Sequence, residues 1–205
     1  MDASTRPVFV LLIGVNGAGK TVLSRRLAAA LPSAHVECDE RAFRRRFIVP
    51  DERKGAHDLN EAILKDCREI VDGWPPGADP VIIDRWFETY VECAGLPRDF
   101  VAEIERYIRS RGYTGLIVNL WIDPAQMAQR LAHMKRHRLP EWWVEELGPI
   151  EDRARRDCIS QVRDREFCEA SIFQSAHIET TAMEWDAYLS IILKRIDWMR
   201  ETRRR

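Results

Sequence analysis

Gly14, Gly17, Gly19, Lys20 and Thr21 stand in the run Gly14-Val15-Asn16-Gly17-Ala18-Gly19-Lys20-Thr21, which has the spacing G-x-x-x-x-G-K-[ST]. The glycines let the backbone curl so that successive N–H groups, including those of Asn16 and Ala18, point inward at phosphate oxygens. Lys20 is placed to reach the β- and γ-phosphates, and the Thr21 hydroxyl to hold Mg²⁺. The chemistry implied is the grip of a nucleoside triphosphate, with ATP and Mg²⁺ as expected cofactors. A second metal-organising group is Asp84, a carboxylate at the end of the apolar run Val81-Ile82-Ile83; a solvent-facing helix cap is its alternative role.

A third carboxylate, Asp39, bears on the acceptor. A hydroxyl must lose a proton during phosphoryl transfer, whereas an acceptor phosphate is already anionic at neutral pH. A base beside the γ-phosphate therefore points to hydroxyl chemistry, with Asp39 as that base, Glu37 or Glu40 as alternatives, and capping of a helix from Glu40 as the competing role. Arg41, Phe43, Arg44 and Phe47 follow it, a mix that neutralises phosphate and stacks a base, although a solvated helix face has similar composition.

These groups need elements to carry them. Val8 to Ile13 is a continuous apolar run, as in a strand buried on both faces, and Leu23, Leu27, Ala30 and Leu31 then recur at helical spacing. A short strand is expected at His35–Cys38, a helix from Asp58 with Leu59, Ala62, Ile63, Ile70 and Val71 inward, and a strand ending at Asp84-Arg85. A further helix opens at Leu96–Asp99 and closes near Gly112. Leu116–Ile122 reads as a strand, and Asp123-Pro124 as a capped helix start leading into the cationic stretch Arg130 to Arg138. Glu151–Glu169 reads as helix and Ala176–Thr180 as the last strand. Thr181–Glu184 has capping-box spacing before a helix with Tyr188, Ile191, Ile192, Ile196 and Met199 on one face. Such alternation predicts a three-layer α/β/α sandwich around a mostly parallel five-stranded sheet, with ligands collecting at the carboxyl ends of its strands.

The residues Asp84-Arg85-Trp86 resemble the D-R-aromatic segment of thymidylate kinases and related nucleoside and nucleotide kinases. That resemblance implies that Arg85 bridges the acceptor and the transferred phosphoryl group, with Trp86 beside the acceptor; an arginine paired to a nearby carboxylate is the plainer role. The string Glu37-Cys38-Asp39-Glu40-Arg41 with Phe43-Arg44 resembles the aspartate-then-arginine segment of polynucleotide kinases, zeta-toxin-like kinases and chloramphenicol phosphotransferases, where the aspartate is the general base. The aromatic-arginine pair sits farther from the aspartate here than in polynucleotide kinases. The same superfamily resemblance implies a phosphate-loop kinase with a helical lid over residues 130–150, whose arginines, Arg130, Arg136 and Arg138, close over the phosphates, and it sets Thr180 beside the adenine. Simple dipole-favoured cations at a helix end are the alternative for these arginines.

Composition limits the field. With 205 residues, 45% of them hydrophobic, the chain is expected to fold as one domain over 1–205, with a frayed basic tail at 200–205. Thirty-two basic residues against 33 acidic ones leave no global field to draw the protein onto nucleic acid, so any polyanion contact must be local. Five cysteines without metal spacing fit reduced thiols, and no apolar stretch is long enough for a membrane span, so a cytoplasmic enzyme without membrane partners is expected. His57, His133 and His177 show no ligand geometry, and Trp142-Trp143 reads first as packing beneath a lid. The expected activity is transfer of the γ-phosphate of ATP to a hydroxyl of a nucleoside, nucleotide or nucleic acid, including a 5′-end or a hydroxymethylated base. The alternatives are a thymidylate-type nucleoside monophosphate kinase, a small-molecule or antibiotic phosphotransferase, and a nucleotide-switch ATPase. A homodimer is compatible with the sequence.

Overall fold

The computed structural model describes residues 6–37, 56–84, 98–137 and 148–202. Among them the chain alternates β1 (Val8–Ile13), α1 (Lys20–Ala30), β2 (His35–Glu37), α2 (Ala56–Asp72), β3 (Val81–Asp84), α3 (Arg98–Ser110), β4 (Thr114–Trp121), a 3₁₀ turn (Pro124–Gln126), α4 (Met127–His137), α5 (Ile150–Ala170), β5 (Gln174–Glu179) and α6 (Trp185–Glu201). The five strands form one sheet in the order β2-β3-β1-β4-β5, every neighbouring pair parallel. The expected architecture is present, with a sheet wholly rather than mostly parallel.

The apolar runs explain the layering. All six residues of β1 are buried, because alternate side chains feed two cores. Val8, Val10 and Leu12 pack with Leu23 and Leu27 of α1, Leu131 of α4 and Ile192 and Ile196 of α6. Phe9, Leu11 and Ile13 face the other way onto Ile63 of α2 and Ile104 and Ile108 of α3. Helix α5 contributes to both, with Ala154 near its start in the first core and Cys168 near its end in the second. Between them Gln161 meets the end of β4: its amide donates to the Ile122 carbonyl at 3.0 Å and its Oε1 accepts from the Ile122 N–H at 2.6 Å.

Several local expectations change. Asp58 lies inside α2, which starts at Ala56, rather than capping it. The Thr181–Glu184 capping box does not form: the residue preceding α6 makes no side-chain cap bond, and the Thr181 hydroxyl instead accepts from the Asp123 N–H at 2.9 Å. A tertiary partner thus displaces the local one. On α6, Tyr188, Ile192, Ile196 and Met199 are buried as expected, but Ile191 points outward and is 44% exposed. Asp123 does cap the 3₁₀ turn, its carboxylate accepting from the Ala125 N–H at 3.0 Å. Gly112, at φ +88°, closes α3 in the left-handed conformation. No helix among the described residues is long and apolar enough to cross a membrane.

Candidate phosphate-binding site

The loop between β1 and α1 lies at the carboxyl edge of the sheet, and its shape depends on its glycines. Gly14, Gly17 and Gly19 have φ of +136°, +80° and +99°, values that side chains disfavour. Space excludes side chains as well. A Cβ on Gly14 would lie 2.2 Å from the Leu120 carbonyl oxygen, and one on Gly19 2.3 Å from the Trp185 ring. Gly19 is the cap of α1, whose first turn holds no acidic residue, so the positive end of the helix faces the loop uncompensated.

Lys20 curls over the loop, its Nζ donating to the carbonyls of Gly14 at 2.6 Å and Val15 at 3.1 Å. One residue on, the Thr21 hydroxyl donates to Asp84 Oδ2 at 2.7 Å, joining the end of β3 to the start of α1. The Asp84 side belongs to a residue only 7% exposed. Hydroxyl and carboxylate are hard oxygen donors of the kind that hold Mg²⁺, and the pair stands directly beside a phosphate-shaped loop, so these residues fit that ion. Asn16 and Ala18 are buried within the loop.

Arg130 occupies a place that its position in a cationic stretch does not reveal. It is 8% exposed, with Nε donating to the Gly17 carbonyl at 3.0 Å and Nη2 to the Thr180 carbonyl at 3.1 Å. Its guanidinium lies 5.6 Å from the centre of the Trp185 ring. Arg130 therefore pins the phosphate loop to the end of β5, while Trp185 fills the space over Gly19. Arg136, on the same helix, is exposed and donates weakly to the Ala132 carbonyl at 3.4 Å. Thr180 is fully buried and its hydroxyl donates to the Trp121 carbonyl at 3.2 Å, so its carbonyl rather than its hydroxyl faces the arginine. Glu37, an alternative base, ends β2 with its carboxylate 3.1 Å from His35 Nε2.

The structure thus brings together Gly14, Asn16, Gly17, Ala18, Gly19, Lys20, Thr21, Asp84, Arg130 and Thr180. Asp39, Glu40, Arg41, Phe43, Arg44, Phe47, Arg85, Trp86 and Arg138 lie outside the described residues, as do Trp142-Trp143. Two participants escaped sequence reasoning. Trp185 carries no motif, and only the juxtaposition of α6 with the loop reveals it. Gln161 sits in a charged helix where nothing but its burial marks it.

A family model described as an AAA domain matches residues 9–146, well over half of the chain. The chain belongs to that family. No curated protein matches this AAA-domain chain. Among solved structures it resembles the YorR protein from Bacillus subtilis in complex with phosphorylated GDP, with a TM-score of 0.65 and 16% identity over 94% of this chain and 98% of that one. Polyphosphate Kinase 2 from Arthrobacter aurescens TC1 gives a TM-score of 0.63 and 17% identity, covering 95% of this chain and 70% of that one. Shikimate kinase from Acinetobacter baumannii in complex with shikimate gives 0.52 and 20% identity, covering 94% of each. At these identities the likeness is one of fold: the AAA-domain chain has the phosphate-loop kinase fold.

Proposed function

We propose that this protein is a Mg²⁺-dependent kinase that transfers the γ-phosphate of ATP to a hydroxyl of a nucleoside, nucleotide or nucleic acid. The observation that carries the reading is the junction of the glycine loop with the Thr21–Asp84 pair at 2.7 Å, a phosphate grip and a metal-holding pair on adjoining strand ends. Loop amides and the positive end of α1 would cradle the β- and γ-phosphates, with Lys20 leaving its loop carbonyls to reach the transferring group. Thr21 and Asp84 would hold Mg²⁺, which when bound neutralises charge on the β- and γ-phosphate oxygens. Asp39 would take the acceptor proton. Arg41, Phe43, Arg44, Phe47 and Trp86 would bind the acceptor, and Arg85 would bridge acceptor and phosphoryl group. Arg130 and Thr180, tied together beside Trp185, would border the nucleotide base, and Arg136 and Arg138 would close from the lid. The fold neighbours bound to phosphorylated GDP and to shikimate support nucleotide and small hydroxyl-bearing ligands for this architecture.

The rival within kinases, transfer to a nucleoside monophosphate, is favoured by the run Asp84-Arg85-Trp86. A γ-labelled ATP transfer screen over nucleosides, nucleotides, 5′-hydroxyl oligonucleotides, hydroxymethylated DNA and small-molecule alcohols separates the readings. The proposal expects label on a hydroxyl and a loss of at least about 100-fold for Asp39→Asn. Label confined to monophosphate acceptors, with Asp39→Asn fully active, would establish the rival. Acceptor-independent phosphate release would mark a nucleotide switch instead.

A further inference from the structure

Two glycines of the phosphate loop are each covered by a neighbouring helix. On the α4 side, a Cβ on Gly17 would lie 3.4 Å from Met134 Sδ and 3.6 Å from Arg130 Cγ. On the α6 side, a Cβ on Gly19 would lie 2.3 Å from Cζ3 and 2.4 Å from Cη2 of Trp185, so the edge of the indole rests on bare Gly19 backbone. Both glycines are left-handed, at φ +80° and +99°, and the lack of a side chain leaves such backbone a wide choice of other shapes.

The indole itself is firmly held. A tight turn leads into it: the Met183 N–H donates to the Thr180 carbonyl at 3.1 Å and the Trp185 N–H to the Met183 carbonyl at 2.9 Å. Tyr188, buried in the first core, meets the indole edge-to-face with ring centres 5.7 Å apart, and the Arg130 guanidinium lies 5.6 Å from its centre. Arg26 of α1 pairs with Asp186, the residue after Trp185. The helix that leaves the loop is thereby tied to the helix that carries the indole.

We propose that Trp185 is a positioning residue, which holds Gly19 in the shape that aims the loop amides at phosphate before any ligand arrives. The inference rests on the kinase reading for its ligand, a nucleoside triphosphate, but it assigns the indole to the grip on the phosphates and not to contact with the base. A loop that keeps its binding shape only part of the time loses affinity in that proportion. Removing the indole therefore weakens whatever the loop grips, whether or not a base is attached.

Inorganic tripolyphosphate, which carries phosphates without a base, separates the two roles. Calorimetric titration of the full chain with ATP and with tripolyphosphate, each with Mg²⁺, measures both affinities. Trp185→Leu keeps an apolar, helix-forming residue that ends short of the ring carbons on Gly19. It should weaken both ligands about 10-fold, and equally to within about 3-fold. Trp185→Ala should do the same, and Trp185→Phe, which restores a ring, should recover most of the loss. Trp198→Ala, on the same helix but 48% exposed, should change neither affinity. Circular dichroism melts identify the variants that remain folded. Weaker ATP binding with tripolyphosphate unchanged would put the indole on the base, and folded variants that bind both ligands as the native chain does would reduce it to packing; each result overturns the proposal. A native chain that binds neither ligand would refute the kinase reading, and this inference with it.

Discussion

Two charge-rich regions of the molecule use their charges in opposite ways. In the groove between α2 and α3, charge meets charge in the open. Arg68 contacts Glu103 at 2.5 Å and Arg111 contacts Asp72 at 2.6 Å, with every partner 41–50% exposed. The Tyr107 ring centre lies 5.5 and 5.8 Å from the Arg68 and Arg111 guanidiniums, while its hydroxyl donates to Asp72. At the phosphate loop the cations Lys20 and Arg130 instead donate to backbone carbonyls. In the groove Arg68 and Arg111 each face a carboxylate. At the loop Lys20 and Arg130 reach carbonyl oxygens of the very backbone that curls around the expected phosphate position. Solvent screens the first region and hardly reaches the buried part of the second.

The comparison breaks most visibly at the loop. Lys20→Met should cut kcat/KM for phosphoryl transfer by about 1,000-fold. Its effect on the melting temperature should stay below that of Arg130→Met, because both Lys20 hydrogen bonds are only part-buried whereas Arg130 makes a fully buried one. Next comes Asp84→Asn, expected to lower activity by about 100-fold, with partial recovery at raised Mg²⁺ measured in a metal titration. Arg130→Met removes the partner of one buried and one part-buried carbonyl and should lower stability by about 2–4 kcal/mol, a fall of roughly 5–15 °C in thermal unfolding. In the groove, Arg68→Ala should cost no more than about 1 kcal/mol, and that effect should shrink further in high salt. If Arg68→Ala proved as costly as Arg130→Met, the distinction between the regions would fail.

The smallest expected effect depends on pH and concerns a carboxylate that is buried like Arg130 but held by neutral donors. Glu105 accepts from the Ser171 hydroxyl at 2.5 Å and from the Ile172 N–H at 3.0 Å. Burial pushes its pKa above the ordinary 4.5, and those two hydrogen bonds only partly oppose the rise. The folded state thus holds this proton more tightly than the unfolded chain does. The resulting stability is fully present below pH 4.5 and is lost as pH rises through the higher folded value. Relative to Glu105→Gln, the native chain should therefore be more stable in acid than near neutrality, as chemical denaturation at a series of pH values would measure. An unchanged difference across that range would sink the assignment.

The sheet was legible in the sequence because its signals are local. Val8–Ile13 and Val81–Ile83 are unbroken apolar runs, and the glycine loop binds its pattern to the strand before and the helix after. What stayed hidden depends on pairs far apart in sequence. Arg130 reaches Gly17 across 113 residues and Thr180 across 50, so the cations that follow it in sequence, Lys135, Arg136 and Arg138, suggested a lid and gave no sign of a buried strut. Thr181 lost its capping role to the Asp123 N–H, 58 residues away. Ile191 was placed inward because the apolar arc of α6 is wider than the arc the sheet covers. At the site, the loop, Thr21 and Asp84 followed from motif and strand end, whereas Trp185 had no sequence signal that distinguishes it from an ordinary core aromatic.

The side chain of Gln161 takes over where the sheet ends, at the residue just past β4, a strand that has β1 on one side and β5 on the other. By donating and accepting at one residue, it supplies Ile122 with the two bonds that a neighbouring backbone would have made. The Ile122 amide, just past β4, is thereby shielded by a helix rather than by the sheet. Its hydrogen should consequently exchange with deuterium at the pace at which α5 lifts away, and not at the slower pace at which β4 and its neighbours separate.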